Sequence, residues 1–210
     1  MYTSSLDAAA GAGHAEIVGL MLDHLGPAWR GGYGASLEAA ACGGHLQVLQ
    51  LLLDHGADAQ ARHGRWALRI AARHGHEAAV ALLLDAGVDI NAVEGAALRA
   101  AVRHSRASVV ELLLQRGADI GLGGGAGAGP EVLRYCRDPG IARMLLARCS
   151  CGSSSTSSSG VCDLDEESQD QLVALGVTHG DTQLLRLLAE RGISMPAQTL
   201  QALEPGTAAA

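Results

Sequence analysis

Two apolar spacings alternate along most of the chain. Leu37 is followed by Ala40 and Ala41, then by the pair Gly44-His45. Val48, Leu49, Leu52 and Leu53 come next, and their spacing puts them on one face of a helix. The stretch Leu37–Asp58 has counterparts at Leu68–Asp89 and Leu98–Asp119, offset by 31 and then 30 residues, and an opening copy begins at Leu6. A fixed period of this size means stacked copies of one supersecondary unit. Each unit is expected to be a short Ala-rich helix, a tight turn at Gly-His and a longer helix ending at glycine. Gly56, Gly87 and Gly117 stand at those ends, where the chain must turn left-handed and a side chain would clash. His55 and Arg116 fall in the last turn, where positive charge meets the negative helix end.

Beyond residue 120 the pattern weakens. Residues 131–149 read as a fifth unit about two residues short at its turn, and residues 171–193 as a sixth, closed by Gly192. The Leu-Leu landmark jumps 42 residues from Leu146 to Leu188, so about a dozen residues are inserted between them. The expected organisation is four clear units in 1–120, a Gly-rich linker at 121–130, the fifth unit, a Ser-rich and acidic insertion at 150–170, the sixth unit and a flexible tail at 194–210. The insertion has too little apolar surface to offset the entropy of ordering, and is expected to be disordered. The first unit has Leu25 where the others have glycine and lacks the polar outer face of a capping repeat. Either a chain cut from a longer array or a frayed first unit is expected.

The units resemble ankyrin repeats with a shortened loop. The family's opening motif survives as Leu-x-x-Ala at Leu37 with Ala40, Leu68 with Ala71, and Leu98 with Ala101. Its Gly-His turn matches at Gly13-His14, Gly44-His45 and Gly75-His76, and its "LLLxxGAD" ending matches from Leu51, Leu82 and Leu112. The resemblance implies an all-α helical repeat solenoid with short inter-repeat loops. It also implies a non-catalytic scaffold or adaptor that binds another protein through the concave side, lined by the short helices and loops. In such an array stability comes from interfaces between neighbouring units.

Composition trims the alternatives. The chain has no Phe, only 2% aromatic residues and 48% hydrophobic ones, much of it alanine, which suits thin modules better than one thick core. All 15 basic residues are arginine, so no lysine exists for a phosphate loop, a kinase strand or a pyridoxal Schiff base. "GLGGGAGAGP" at 121–130 follows no strand pattern and has no lysine partner, so it reads as a linker. Net charge is −5 over 1–61, +4 over 62–148 and −6 over 149–210. A dominant basic face is therefore missing, and nucleic acid is disfavoured as a partner. The Arg-rich middle still leaves an alternative, a binder of nucleic acid or another acidic ligand. A fragment of a larger regulatory protein is a further one. An odd five cysteines without a secretory signal point to reduced thiols and an intracellular, cytoplasmic or nuclear, site. No run of 18 apolar residues predicts a membrane span. A monomer is expected.

Candidate chemistry is sparse. His14, His45 and His76 recur at 31 residues, so they sit in successive units roughly 8–10 Å apart, whereas zinc needs its ligands within roughly 2.1 Å of one ion. They read as polar residues that satisfy turn backbone groups. Cys149, Cys151 and Cys162 form a loose set that only distant His179 could complete, and Cys42 and Cys136 read as packing residues. Neither a metal site, a cofactor nor a catalytic triad is expected. Asn91, the only asparagine, resembles with Leu83, Asp89 and Ile90 the loop modified by the asparaginyl hydroxylase of ankyrin repeats; the alternative is that it bonds its own turn. Partner-binding candidates come from the position after each short-helix leucine, where Asp7, Glu38, Arg69, Arg99 and Arg134 run from acidic to basic. Trp29, Tyr33 and Trp66 join them from the segments between the first three units. Trp, Tyr and Arg most often dominate interface energy.

Overall fold

The computed structural model describes residues 2–25, 32–122, 131–148, 164 and 166–195. These are helical, with no strand among the described residues. They divide into two compact units, Met1–Asp119 and Ile120–Ala210.

The first unit holds α1 (Tyr2–Gly11), α2 (Ala15–Leu25), α3 (Gly34–Gly43), α4 (Leu46–Asp54), α5 (Arg62–His74), α6 (Glu77–Asp85), α7 (Ala92–Arg103) and α8 (Ala107–Gln115). Odd-numbered helices pack on one another in a first row, even-numbered ones in a second, and each pair packs across the rows. Leu6, Leu37, Leu68 and Leu98 are each at most 2% exposed, and Ala40, Ala41, Ala71, Ala72 and Ala101 are fully buried. Small residues there let the first-row helices approach closely. Val18, Leu22, Val48, Leu49, Leu52, Val80, Leu83, Val109, Val110 and Leu113 supply the second row's buried face.

The repeated phrase at each unit's end is one hydrogen-bonded motif. Gly56, Gly87 and Gly117 have φ of 91°, 88° and 87°. The N–H that follows each donates back to a helix carbonyl: Ala57 to Leu52 (2.9 Å), Val88 to Leu83 (3.1 Å) and Ala118 to Leu113 (2.9 Å). This closes carbonyls that a helix end would otherwise leave unpaired. The aspartate then organises the loop: Asp58 Oδ1 accepts from the N–H groups of Gln60 (2.9 Å) and Ala61 (3.1 Å), and Asp89 Oδ1 from that of Asn91 (2.9 Å).

The Gly-His turn staples neighbouring units. His45 Nε2–H donates to the Gly11 carbonyl (3.1 Å) and His76 Nε2–H to the Cys42 carbonyl (2.9 Å). In the fourth unit Arg106 Nε takes the same role on the Arg73 carbonyl (3.1 Å). Gly44 is required twice over: its φ is 70°, and a Cβ there would lie 2.6 Å from the His76 ring. Polar contacts join the second row's ends: His55 Nε2 lies 3.5 Å from Asp23 Oδ1, and Arg116 forms an ion pair with Asp85 at 2.7 Å.

One expectation about helix length is corrected. α3 (10 residues) and α5 (13) are longer than α4 and α6 (9 each), whereas α1 (10) is shorter than α2 (11) and the 12 residues of α7 include a left-handed turn, so the first helix is not uniformly the shorter one. α5 begins at Arg62, and in its first turn Gly64 passes against the Ala59 carbonyl, where a Cβ would come within 1.8 Å. α7 opens with a left-handed turn, Val93, Glu94 and Gly95 at φ 54°, 56° and 70°. Non-glycine residues in that region cost roughly 1–2 kcal/mol each. The N–H of Gly95 to the Asn91 carbonyl (3.1 Å) and Arg99 Nη2 to the Val93 carbonyl (3.2 Å) hold the turn.

The second unit repeats the two-row plan less regularly. A 3-10 helix (Glu131–Tyr135) precedes α9 (Pro139–Arg148), and α10 (Glu166–His179) precedes α11 (Thr182–Glu190). The 3-10 helix packs on α10, and α9 packs on α11. Residues 123–130, 149–163 and 196–210, which hold most of the expected linker, insertion and tail, lie outside the described residues. The expected disordered insertion is too long at its end, since Glu166–Asp170 already form the first turns of α10. Two glutamates at the positive helix end favour that start, and Gln169 Nε2 donates to the Leu164 carbonyl at 2.7 Å.

Candidate functional site

The face of α5 turned away from the core carries the strongest charge in the first unit. Gly64, Ala67, Leu68, Ala71 and Ala72 are buried. At 3.6 residues per turn, Arg62, Arg65, Trp66, Arg69 and Arg73 fall in a sector of about 100° opposite them. The helix has four arginines and no carboxylate. Trp66 is half-buried, with the Arg69 guanidinium 4.1 Å over its ring and that of Arg62 at 5.9 Å. Such cation–π contacts are worth about 0.5–1 kcal/mol at exposed sites. Arg69 Nε is buried without an acceptor among the described residues, and an unmet buried donor costs roughly 1–3 kcal/mol.

On the α3 side, His63 Nδ1 meets Glu38 Oε1 at 2.7 Å, and Asp7 accepts from the Ser36 hydroxyl at 2.5 Å. Toward the C-terminal ends of α5 and α7, positive charge gathers again. Burial lowers the His74 pKa from its ordinary value, helped by Arg73, His76 and Arg106. Burial likewise lowers His104, followed by Arg73, Arg103, Arg106 and His74. The His74 and His76 rings stack with centroids 6.0 Å apart.

The residues expected from sequence are thus partly gathered. Trp66 and Arg69 meet directly, while Arg99 occupies the equivalent position on α7. Tyr33, just before α3, lines an open cavity of about 430 Å³ with Leu37, His55, Asp58 and His63. Trp29 lies outside the described residues, as do Cys149, Cys151 and Cys162. Arg134 is in the second unit, where its Nη2 pairs with Glu167 at 2.5 Å. Sequence reasoning passed over Arg62, Arg65 and Arg73. Their signal was present, since 62, 65, 69 and 73 keep a helical period with no acid among them, but it needed a helix starting at Arg62. Cys42 is exposed, which corrects its reading as a packing residue: its thiol sits at the surface, 3.6 Å from His74 Nε2. Cys136 is buried, and burial pushes its thiol pKa up to about 11.

Among the described residues no group of three or more His, Cys, Asp or Glu could hold a metal ion. No helix among them is long and apolar enough to cross a membrane.

A family model described as ankyrin repeats (3 copies) matches residues 37–123. Those residues are ankyrin repeats. No curated protein matches the chain significantly. Within the ankyrin array, the Asn91 side chain ties two units together: its Oδ1 accepts the Asp119 N–H at 2.9 Å. Ankyrin repeats generally mediate protein–protein interaction and are typically non-catalytic.

Proposed function

We propose that the chain is an intracellular, non-catalytic adaptor that binds a partner protein through the exposed face of the first helix row. The observation that carries this reading is the Trp66–Arg69 stack, a rigid aromatic and a planar guanidinium displayed together on that face. Side chains of these two types supply large contact area and bidentate hydrogen bonding. Arg99 and Tyr33 extend the surface to either side. Affinity capture followed by mass spectrometry, comparing the native chain with Arg69→Glu/Arg99→Glu, tests it. Loss of a specific partner by a double variant that still folds is expected, with some stability lost along with the Arg99–Val93 hydrogen bond and the Arg69–Trp66 contact. Undiminished capture by the folded double variant would move the site elsewhere, to the second-row face first.

A further inference from the structure

We propose that the arginine ridge of α5 takes an extended acidic segment of the partner, its carboxylates seated on Arg62, Arg65, Arg69 and Arg73 beside Trp66. This rests on the reading that the first row binds protein, and adds the chemical class of what is bound.

Three arginines elsewhere have acidic partners, Arg116 with Asp85, Arg134 with Glu167 and Arg143 with Asp181, while Arg106, Arg137 and Arg186 stand singly outside α5 without one among the described residues. None of the four on α5 makes an ion pair among the described residues. Like charges three and four residues apart on one helix destabilise it. The pairs Arg62–Arg65, Arg65–Arg69 and Arg69–Arg73 all have that relation. The ridge thus costs the fold stability and gains no carboxylate in return among the described residues; its internal compensation is the contact of Arg62 and Arg69 with the Trp66 ring. Its length is about 16 Å, at 1.5 Å per residue from Arg62 to Arg73. Successive arginines three or four residues apart rise about 4.5–6 Å, close to the roughly 6.6 Å between alternate residues of an extended chain. A short strand with carboxylates at alternate positions therefore matches the ridge in sign and spacing.

The neighbouring surface limits where such a segment can lie. Toward α3 stands Glu38, held by His63, which would repel an acidic chain. Toward α7 stand Arg99 and Arg103, each already engaged in contacts of its own, with the exposed Glu94 at the helix start. Single-stranded nucleic acid fits less well. It stacks its bases on open aromatic faces, and the Trp66 ring already has Arg69 over it. The chain's net charge of −7 also opposes a long polyanion more than a short acidic segment.

Fluorescence anisotropy with the full chain tests the proposal. The probes are a labelled alternating Glu-Gly peptide of about twelve residues, some 40 Å when extended, its Gln-Gly counterpart and a short oligo-dT. The Glu-Gly peptide should bind saturably at low salt and the Gln-Gly peptide should not. Binding should weaken as salt cuts the screening length from about 10 Å at 0.1 M to about 3 Å at 1 M. Arg65→Gln/Arg73→Gln, both at exposed positions and so compatible with folding, should lower affinity at least tenfold, and Arg69→Gln likewise. Arg186→Gln on α11 should change it less than twofold. Equal binding of both peptides, or equal affinity across the variants, overturns the proposal. Tighter oligo-dT binding lost in the same variants overturns it in favour of nucleic acid. Failure of the Glu-Gly peptide to bind, while Arg69→Glu/Arg99→Glu still abolishes partner capture, overturns the acidic-segment inference alone and leaves the protein-binding reading standing.

Discussion

α3 and α5 do the same structural work and present opposite surfaces. Both pack between two first-row neighbours, and Leu37, Ala40 and Ala41 on one correspond to Leu68, Ala71 and Ala72 on the other, all buried. The outward positions diverge. Where α3 has Ala35, Glu38 and Cys42, α5 has Trp66, Arg69 and Arg73. Stacking constrains the inward positions because each helix must fit the same neighbour geometry. It leaves the outward positions free, so a concentrated chemical difference there is the best pointer to binding.

The heaviest cost falls on the half the two helices share. Leu37→Ala and Leu68→Ala should each destabilise the array by about 2–5 kcal/mol in chemical denaturation, and by similar amounts. A cost confined to one of them would break the equivalence of the two helices. Next comes a difference at their starts. Gly64→Ala should cost about 1–3 kcal/mol, because its Cβ would meet the Ala59 backbone oxygen. At the corresponding position, just before α3, the chain carries Tyr33. A melting temperature unmoved by Gly64→Ala would show that α5 does not need that close approach.

Smaller effects bear on the outward face. Trp66→Ala should cost about 0.5–1 kcal/mol through the lost cation–π contacts, beyond its packing, and no α3 position has an equivalent. The weakest is a pH effect. With the His74 and His104 pKa values held below 6.5 in the folded chain, the unfolded chain takes up protons first as pH falls. Stability contributed by the neutral rings is full above pH 6.5 and declines as pH drops through and below that value. Thermal melts at about pH 7 and about pH 5 should show a slightly larger drop for the native chain than for His74→Gln/His104→Gln. High salt should shrink the Arg73, Arg103 and Arg106 part of it, as both rings are exposed.

The inward half of the molecule was legible in the sequence because burial repeats with the helical period. Leu37, Leu68 and Leu98 mark the core directly, and the glycine at 56, 87 and 117 announces its own left-handed turn. The outward half was less so. Arg62 and Arg65 flank Gly64, which by itself signals a loop, and only the Ala59 contact reveals that the helix starts there. Arg69 could be found by register, but Arg73 joins it as a ridge only once 62–74 is one helix. In the left-handed turn only Gly95 carried a local signal, since Val93 and Glu94 are residue types that disfavour it. Gly95 closes it, its N–H donating to the Asn91 carbonyl, and Arg99 reaches back to the Val93 carbonyl from the next turn.

Site-directed photo-crosslinking asks outright whether the α5 face is where the partner sits. Benzoylphenylalanine would replace in turn the exposed His74 beside the ridge on α5, the exposed Ala35 on α3 and the exposed Ser108 on α8 in the second row, and each chain would be exposed to its cell extract. A discrete partner adduct is expected from position 74, a weaker one from 35 and none from 108. An adduct from position 108 with none from 74 would contradict binding through the first-row face.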